Sequence, residues 1–108
     1  MLYDTEIMTA QTALNTVSTE VGRVEAGNIN EITFYLVAAG VIATGAIQIE
    51  ESHVAGYAGT WAPVGSPITL VTDSVKTVKA TGVGRVYRAR ISTGLTGGGN
   101  TSVFVIGR

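Results

Sequence analysis

The sequence contains no cysteine, which excludes disulfide bonds and thiolate metal sites. Charged residues make up only 14% of the chain, against about 25% in a typical soluble domain. With a net charge of -1, the chain lacks the positive surface that nucleic acid requires, so we expect no nucleic-acid partner. A surface this poor in charge indicates cover by copies of the chain or by a larger assembly; hydration by Thr, Ser, Asn and Gly is the alternative.

Membrane and export signals are also lacking. The uncharged stretch from Ile32 to Ile47 is interrupted by Gly40 and Gly45 and is shorter than the roughly 20 residues of a membrane-spanning helix. We interpret it as strand, turn and strand, and we expect no membrane partner. The first residues, Met1–Glu6, are acidic, which does not match a cleaved signal peptide.

What the sequence does contain is alternation, and it is clearest from Gly82 to Gly94. Tyr87, Ala89 and Ile91 fall on one side of the pattern, and the positions between them carry arginines and other residues. A period of two predicts a strand with one face on a core and one face in water. A helix would distribute the arginines around its axis.

Similar short runs, separated by glycine-rich turns, fill the rest of the chain. Pro63 and Pro67 restrict their segment to a sheet edge or a turn, because proline cannot donate to a strand ladder. Lys76 and Lys79 suit an exposed edge. The final run, Thr101–Arg108, is apolar on both faces. Together these runs predict an all-β fold, an antiparallel two-sheet β-sandwich or jelly roll of roughly seven to eight short strands.

The N-terminal stretch leaves two alternatives open. Residues 1–16 are rich in threonine and show no clean period, so they form either an extended arm that reaches a neighbouring subunit or a plain first strand. Residues 17–108 are predicted to form a single β-sandwich domain.

Apolar residues on both sides of one segment predict contact with a partner. In Glu31–Ala38, Ile32, Phe34 and Leu36 form an inward row, which leaves Tyr35 and Val37 on the opposite face. The predicted partner contacts over the whole chain are Ile7, Met8, Leu14, Tyr35, Val37, Tyr57, Arg88 and Arg90.

The residues offer little for catalysis. The single histidine, His53, follows Glu50 and Glu51, but consecutive strand residues point in opposite directions and cannot converge easily on a metal ion. No nucleophile motif such as G-x-S-x-G occurs. We therefore expect no enzyme activity, no metal and no cofactor.

Two aromatic residues admit two interpretations. Trp61 and Tyr57 could form a platform that stacks on a sugar ring. Alternatively, Trp61 fills the core between the sheets, where its burial would contribute roughly 3 kcal/mol.

Three segments carry a resemblance to a known group of proteins. They are Ile47–Ser52, Gly59–Val64 and Tyr87–Gly94, followed by a closing strand from Val103 to Ile106. A strand ending in Glu-x-Ser, a Trp loop and a Tyr-Arg-x-Arg strand resemble small virion proteins of tailed bacteriophages; similar spacing occurs in carbohydrate modules and discoidin-like sandwiches. The resemblance covers about residues 46–108.

The resemblance implies a structural part of a virion, an auxiliary capsid protein that decorates the shell and cements neighbouring capsomers. The partners it implies are further copies of the chain, as a dimer or trimer, and a major capsid protein. It transfers no catalytic residues. The alternatives are a tail or head-fibre component and a carbohydrate-binding adhesion module that uses Tyr57 and Trp61.

Overall fold

The computed structural model describes residues 3–22, 31–81 and 86–107, which form β-strands and no helix. The strands are β1 (Tyr3–Gln11), β2 (Val21–Gly22), β3 (Glu31–Ala39), β4 (Thr44–Ser52), β5 (Ala62–Thr69), β6 (Ser74–Thr81), β7 (Val86–Thr96) and β8 (Asn100–Gly107). The all-β prediction is confirmed. Gly82–Arg85, the start of the predicted alternating strand, lies outside the described residues.

The strands form two four-stranded sheets. Sheet A has the order β1-β8-β3-β6, and sheet B has the order β2-β7-β4-β5. The antiparallel pairs β1 with β8, β2 with β7, β3 with β6 and β4 with β5 make the chain one long hairpin. This hairpin is wound into two layers, which is the arrangement of a jelly roll.

The core lies between the two sheets and is built from alternate residues of their strands. Phe34, Leu36 and Ile91 are among its fully buried side chains, and the ring of Phe34 meets the ring of Tyr87 edge to face at 6.2 Å. Each buried side chain of this size contributes about 1.5 to 3 kcal/mol. The inward rows predicted for β3 and β7 are confirmed: Ile32, Phe34 and Leu36; Tyr87, Ala89 and Ile91. On β4, Ile47 and Ile49 are buried in the same core.

The N-terminal stretch contains a strand of the sandwich, the second of the two predicted alternatives. β1 pairs with β8, and their register shifts between Glu6 and Met8. Such a bulge interrupts strict alternation. Ile7 and Met8, which are 6% and 4% exposed, are therefore both buried in the core. The expectation that these two side chains meet a partner is corrected, since they pack within their own chain.

Residues 12–20 cross from sheet A to sheet B along the free edge of β7. The Asn15 amide donates to the Ile91 carbonyl at 2.8 Å, and the Ser18 amide donates to the Ala89 carbonyl at 2.8 Å. This crossing stretch closes one side of the sandwich. The predicted division at residue 16 therefore falls inside a continuous structure.

The opposite side of the sandwich has two edge strands. β5 carries Pro63 and Pro67 at the edge of sheet B, and β6 carries Lys76 and Lys79 at the edge of sheet A. Both placements confirm what these residue types predicted, since proline lacks an amide donor and lysine discourages further strand pairing.

A tight glycine loop joins β7 to β8 at one end of the sandwich. Gly97 has a φ of 107°, a conformation that residues with a side chain rarely adopt. A Cβ atom at Gly97 would also lie 2.8 Å from the Val41 carbonyl oxygen and 2.8 Å from the Ala43 amide nitrogen. The loop between β3 and β4 can therefore pack directly on this backbone only because residue 97 is glycine.

The uncharged stretch from Ile32 to Ile47 forms most of β3, a loop and the start of β4. This confirms the predicted strand, turn and strand. In the described ranges, no helix has the length and apolar character needed to cross a membrane.

Candidate interaction surfaces

The outward side of sheet A carries an unusual number of apolar side chains for a sheet face that no other strand of the described residues covers. We call this surface the apolar face. Its residues are Thr33, Tyr35, Val37, Val75, Thr77, Ser102, Phe104 and Ile106. An antiparallel sheet with one exposed side normally presents polar residues there.

Register places the large side chains of the apolar face next to each other. Tyr35 is paired with Phe104 across β3 and β8, and Val37 is paired with Val75 across β3 and β6. Val75 is 58% exposed, while the other three are partly buried. The sequence correctly placed Tyr35 and Val37 on the outward side; their contact with a partner stays a prediction.

Three large apolar side chains of the apolar face were not among the predicted contacts: Val75, Phe104 and Ile106. The signal for Phe104 and Ile106 was present, because β8 is apolar on both faces and one face has to point outward. Only the pairing of β6 with β3 shows that Val75 lies on the same face as these two residues.

Opposite charges flank the apolar face. Glu6 lies on β1 beside Phe104, and Lys79 lies on β6 beside Thr33; both are exposed. Glu31 stands at the start of β3, diagonal to Lys79. One edge of the face is therefore acidic at Glu6, and the other edge is basic at Lys79.

The outer side of sheet B has a different character, because its charged side chains pair with one another. Glu50 accepts hydrogen bonds from Arg88 Nε at 3.0 Å and from Arg90 Nε at 2.9 Å. The register between β4 and β7 brings them together, with Glu50 opposite Arg88. The Glu50 side chain is only 8% exposed, so this carboxylate is held in a largely desolvated ion cluster, which we call the Glu50 cluster.

Neighbouring segments complete the Glu50 cluster. The guanidinium carbon of Arg88 lies 4.2 Å from the centre of the Trp61 ring, a distance typical of a cation–π contact. Arg90 Nη1 donates to Asn15 Oδ1 of the crossing stretch at 3.1 Å. The cluster thus joins β4 and β7 to the segments before β2 and before β5.

This arrangement corrects the expectation that Trp61 lies between the sheets, and it gives the two arginines a partner within the chain. Trp61 is buried, at 3% exposure, but it lies on the outer side of sheet B with Arg88 and not between the sheets. The guanidinium groups of Arg88 and Arg90 bind Glu50 of the same chain; their contact with a partner stays a prediction. The alternation predicted their side of the strand but not their ion pairs.

Replacing Trp61 by phenylalanine tests its structural role. The indole Nε1 donates to the Tyr57 carbonyl at 2.8 Å. Trp61→Phe keeps a ring under Arg88 but leaves that carbonyl without its donor, so we expect a loss of about 1 to 2 kcal/mol in the free energy of unfolding. Urea denaturation followed by circular dichroism measures it. Unchanged stability would show that the hydrogen bond contributes nothing.

The remaining predicted contacts lie apart from the apolar face. Leu14 is exposed on the crossing stretch, and Tyr57 is exposed between β4 and β5. His53 is exposed, with its ring 5.0 Å from that of Tyr57. Within the described ranges, no three His, Cys, Asp or Glu residues are grouped as metal ligands would be.

Comparison with known proteins does not assign the chain to a family. No protein-family model matches it, and no curated protein matches it in sequence. The resemblance to phage virion proteins therefore stays a prediction, and the function has to be argued from the surfaces described above.

Proposed function

We propose that this protein is a non-enzymatic structural subunit of a tailed-phage particle, an auxiliary capsid protein that binds the assembled shell and cements neighbouring capsomers. The apolar face of sheet A is the observation that carries the proposal. Its central rows hold Tyr35, Val37, Val75 and Phe104 side by side. A contiguous apolar patch with polar surroundings is typical of a protein-protein contact.

The rest of the surface supports the same role. Charged residues make up only 14% of the chain, and the Glu50 cluster pairs three of them within the fold. A chain that presents few free charges and one apolar sheet face is suited to a place in a larger assembly. Jelly rolls also recur in viral capsid domains, which is support by analogy of fold alone.

The carbohydrate-binding alternative has less support. Jelly rolls occur among lectins as well, and Tyr57 is exposed. However, the Arg88 guanidinium stacks on the Trp61 ring, and Trp61 is buried. A stacking platform needs an accessible ring, so Tyr57 would have to bind sugar without the tryptophan that was expected beside it.

Fractionation of phage particles tests the proposed function. A lysate that contains the chain is separated on a density gradient, and the chain is located with a specific antibody. We expect the chain in the fractions that hold DNA-filled particles, and electron microscopy with the same antibody should label the capsid shell. Recovery only as free protein would contradict the proposal. Label confined to the tail or to fibres would contradict the capsid assignment.

A further inference from the structure

We infer that a second copy of this chain covers the apolar face, with a two-fold axis parallel to the strands of sheet A. The inference rests on the proposed function and deepens it by naming the first partner of that face. The two sheets would then stack as in a sandwich, about 10 Å apart and with strands nearly aligned. In such a dimer, every surface outside the apolar face is present twice, so the dimer can bridge two capsomers.

The charges at the two edges of the apolar face select this axis. A two-fold axis along the strands places β1 of one copy over β6 of the other, so the acidic edge at Glu6 faces the basic edge at Lys79, twice in the dimer. An axis across the strands would place β1 over β1 and β6 over β6. Like charges would then face each other, which opposes association.

The distance along the strands is compatible with the Glu6–Lys79 pair. Glu6 belongs to the row that contains Phe104 and Tyr35, and Lys79 belongs to the next outward row, beside Thr33. Successive outward rows are about 7 Å apart along a strand. Lysine is long and flexible enough to extend over such a distance.

The middle of the apolar face can be covered without burying a formal charge. One central row contains Tyr35, Phe104 and Thr77, and the next row contains Val37, Val75 and Ser102. These side chains are apolar or carry only hydroxyl groups, so a second copy would not have to desolvate an unpaired ion there. Glu6 and Lys79 lie on the two edge strands and Glu31 lies at the end of β3, so water can still reach all three.

The area of the face indicates how strong the dimer should be. Four strands about 4.8 Å apart, each with about seven residues rising about 3.3 Å, give a flat area of about 440 Å² on each copy. The total, about 900 Å², is below the roughly 1,200 Å² at which stable specific interfaces begin and is in the range of weak, transient ones. We therefore expect a reversible dimer with a Kd in roughly the micromolar range.

A charge exchange tests both the partner and the axis. Sedimentation equilibrium of the full chain should show a monomer–dimer equilibrium. Glu6→Lys and Lys79→Glu should each weaken the dimer by about fivefold or more, because each variant places like charges together. The double variant Glu6→Lys with Lys79→Glu should return the Kd to within about twofold of the original.

A matched pair of valine variants tests the face itself. Val75 is on the apolar face and Val71 is in the loop before β6, and both are strongly exposed. Val75→Asp should abolish dimer formation, while Val71→Asp should leave it unchanged. Thermal unfolding at low concentration should show all these variants folded, because each replaced side chain is exposed.

The outcomes separate this inference from the proposed function. The inference is overturned if the chain stays monomeric at about 100 times the expected Kd, or if it forms a trimer. It is also overturned if the double variant does not recover the Kd of the original chain. If such a chain still migrates with phage particles, the proposed function stands without it. If the dimer Kd changes in the charge variants as expected but the chain never migrates with particles, the inference is supported and the capsid role is contradicted.

Discussion

Glu50→Gln should lower the free energy of unfolding by about 3 kcal/mol, because one buried carboxylate serves two arginines. Its oxygens accept from Arg88 Nε at 3.0 Å and from Arg90 Nε at 2.9 Å. The glutamine side chain keeps the volume of glutamate but removes the negative charge. Two guanidinium groups would then lie close together without their counter-ion. Urea denaturation measures the loss.

Two further variants show whether unpaired charge is the cause. Glu6→Gln removes an exposed carboxylate from sheet A and should change stability by less than about 0.5 kcal/mol. Replacing all three ions, with Glu50→Leu, Arg88→Met and Arg90→Met, should recover much of the loss, since apolar replacements of a buried ion cluster are often neutral. A Glu50→Gln variant as stable as the original chain would show that the Glu50 cluster does not stabilise the fold.

Phe34→Ala should destabilise the protein by about 4 kcal/mol, because it leaves a large cavity between the sheets. Phe34 is fully buried on the inward side of β3, and its ring contacts the ring of Tyr87 on β7. The substitution therefore removes a contact between sheet A and sheet B. Unfolding in urea, followed by circular dichroism in the β-sheet region, gives the change.

The neighbouring residue provides the control for Phe34→Ala. Tyr35 lies next to Phe34 on the same strand but points outward. At a concentration where the chain is monomeric, Tyr35→Ala should cost less than about 1 kcal/mol, because its side chain does not fill the core. Equal losses for the two variants would mean that the assignment of inward and outward faces on β3 is wrong.

The two outer faces of the sandwich differ in how they use their polar and apolar groups. On sheet B, Glu50 pairs with Arg88 and Arg90, and Trp61 and Asn15 complete the Glu50 cluster. These groups satisfy one another within the chain. On sheet A, the apolar face has no such internal partner among the described residues. For this reason we assign intermolecular contact to sheet A.

Much of the secondary structure followed from local patterns. Alternation placed Phe34 and Ile91 on inward faces, and the buried side chains confirm these placements. Pro63 and Lys76 indicated edge strands, as found. These predictions succeeded because side-chain direction alternates along a strand and edge residues act through their own backbone or charge, so neither depends on distant parts of the chain.

The failures have a different origin. Ile7 and Met8 are buried together because the pairing of β1 with β8 contains a bulge. Trp61 is buried on the outer side of sheet B, where Arg88 stacks on it. A bulge and a stacking contact depend on which strands become neighbours, and no local pattern carries that information.

The sequence by itself determined that the chain is all-β, which residues of its main strands point inward, and that its surface is poor in charge. The tertiary structure alone decided that Glu50 meets Arg88 and Arg90, and that Val75 joins Tyr35 and Phe104 on one face. The physical reason is the range of each effect. Alternation is a property of consecutive residues, whereas ion pairs and surface patches come from the register between strands far apart in the chain.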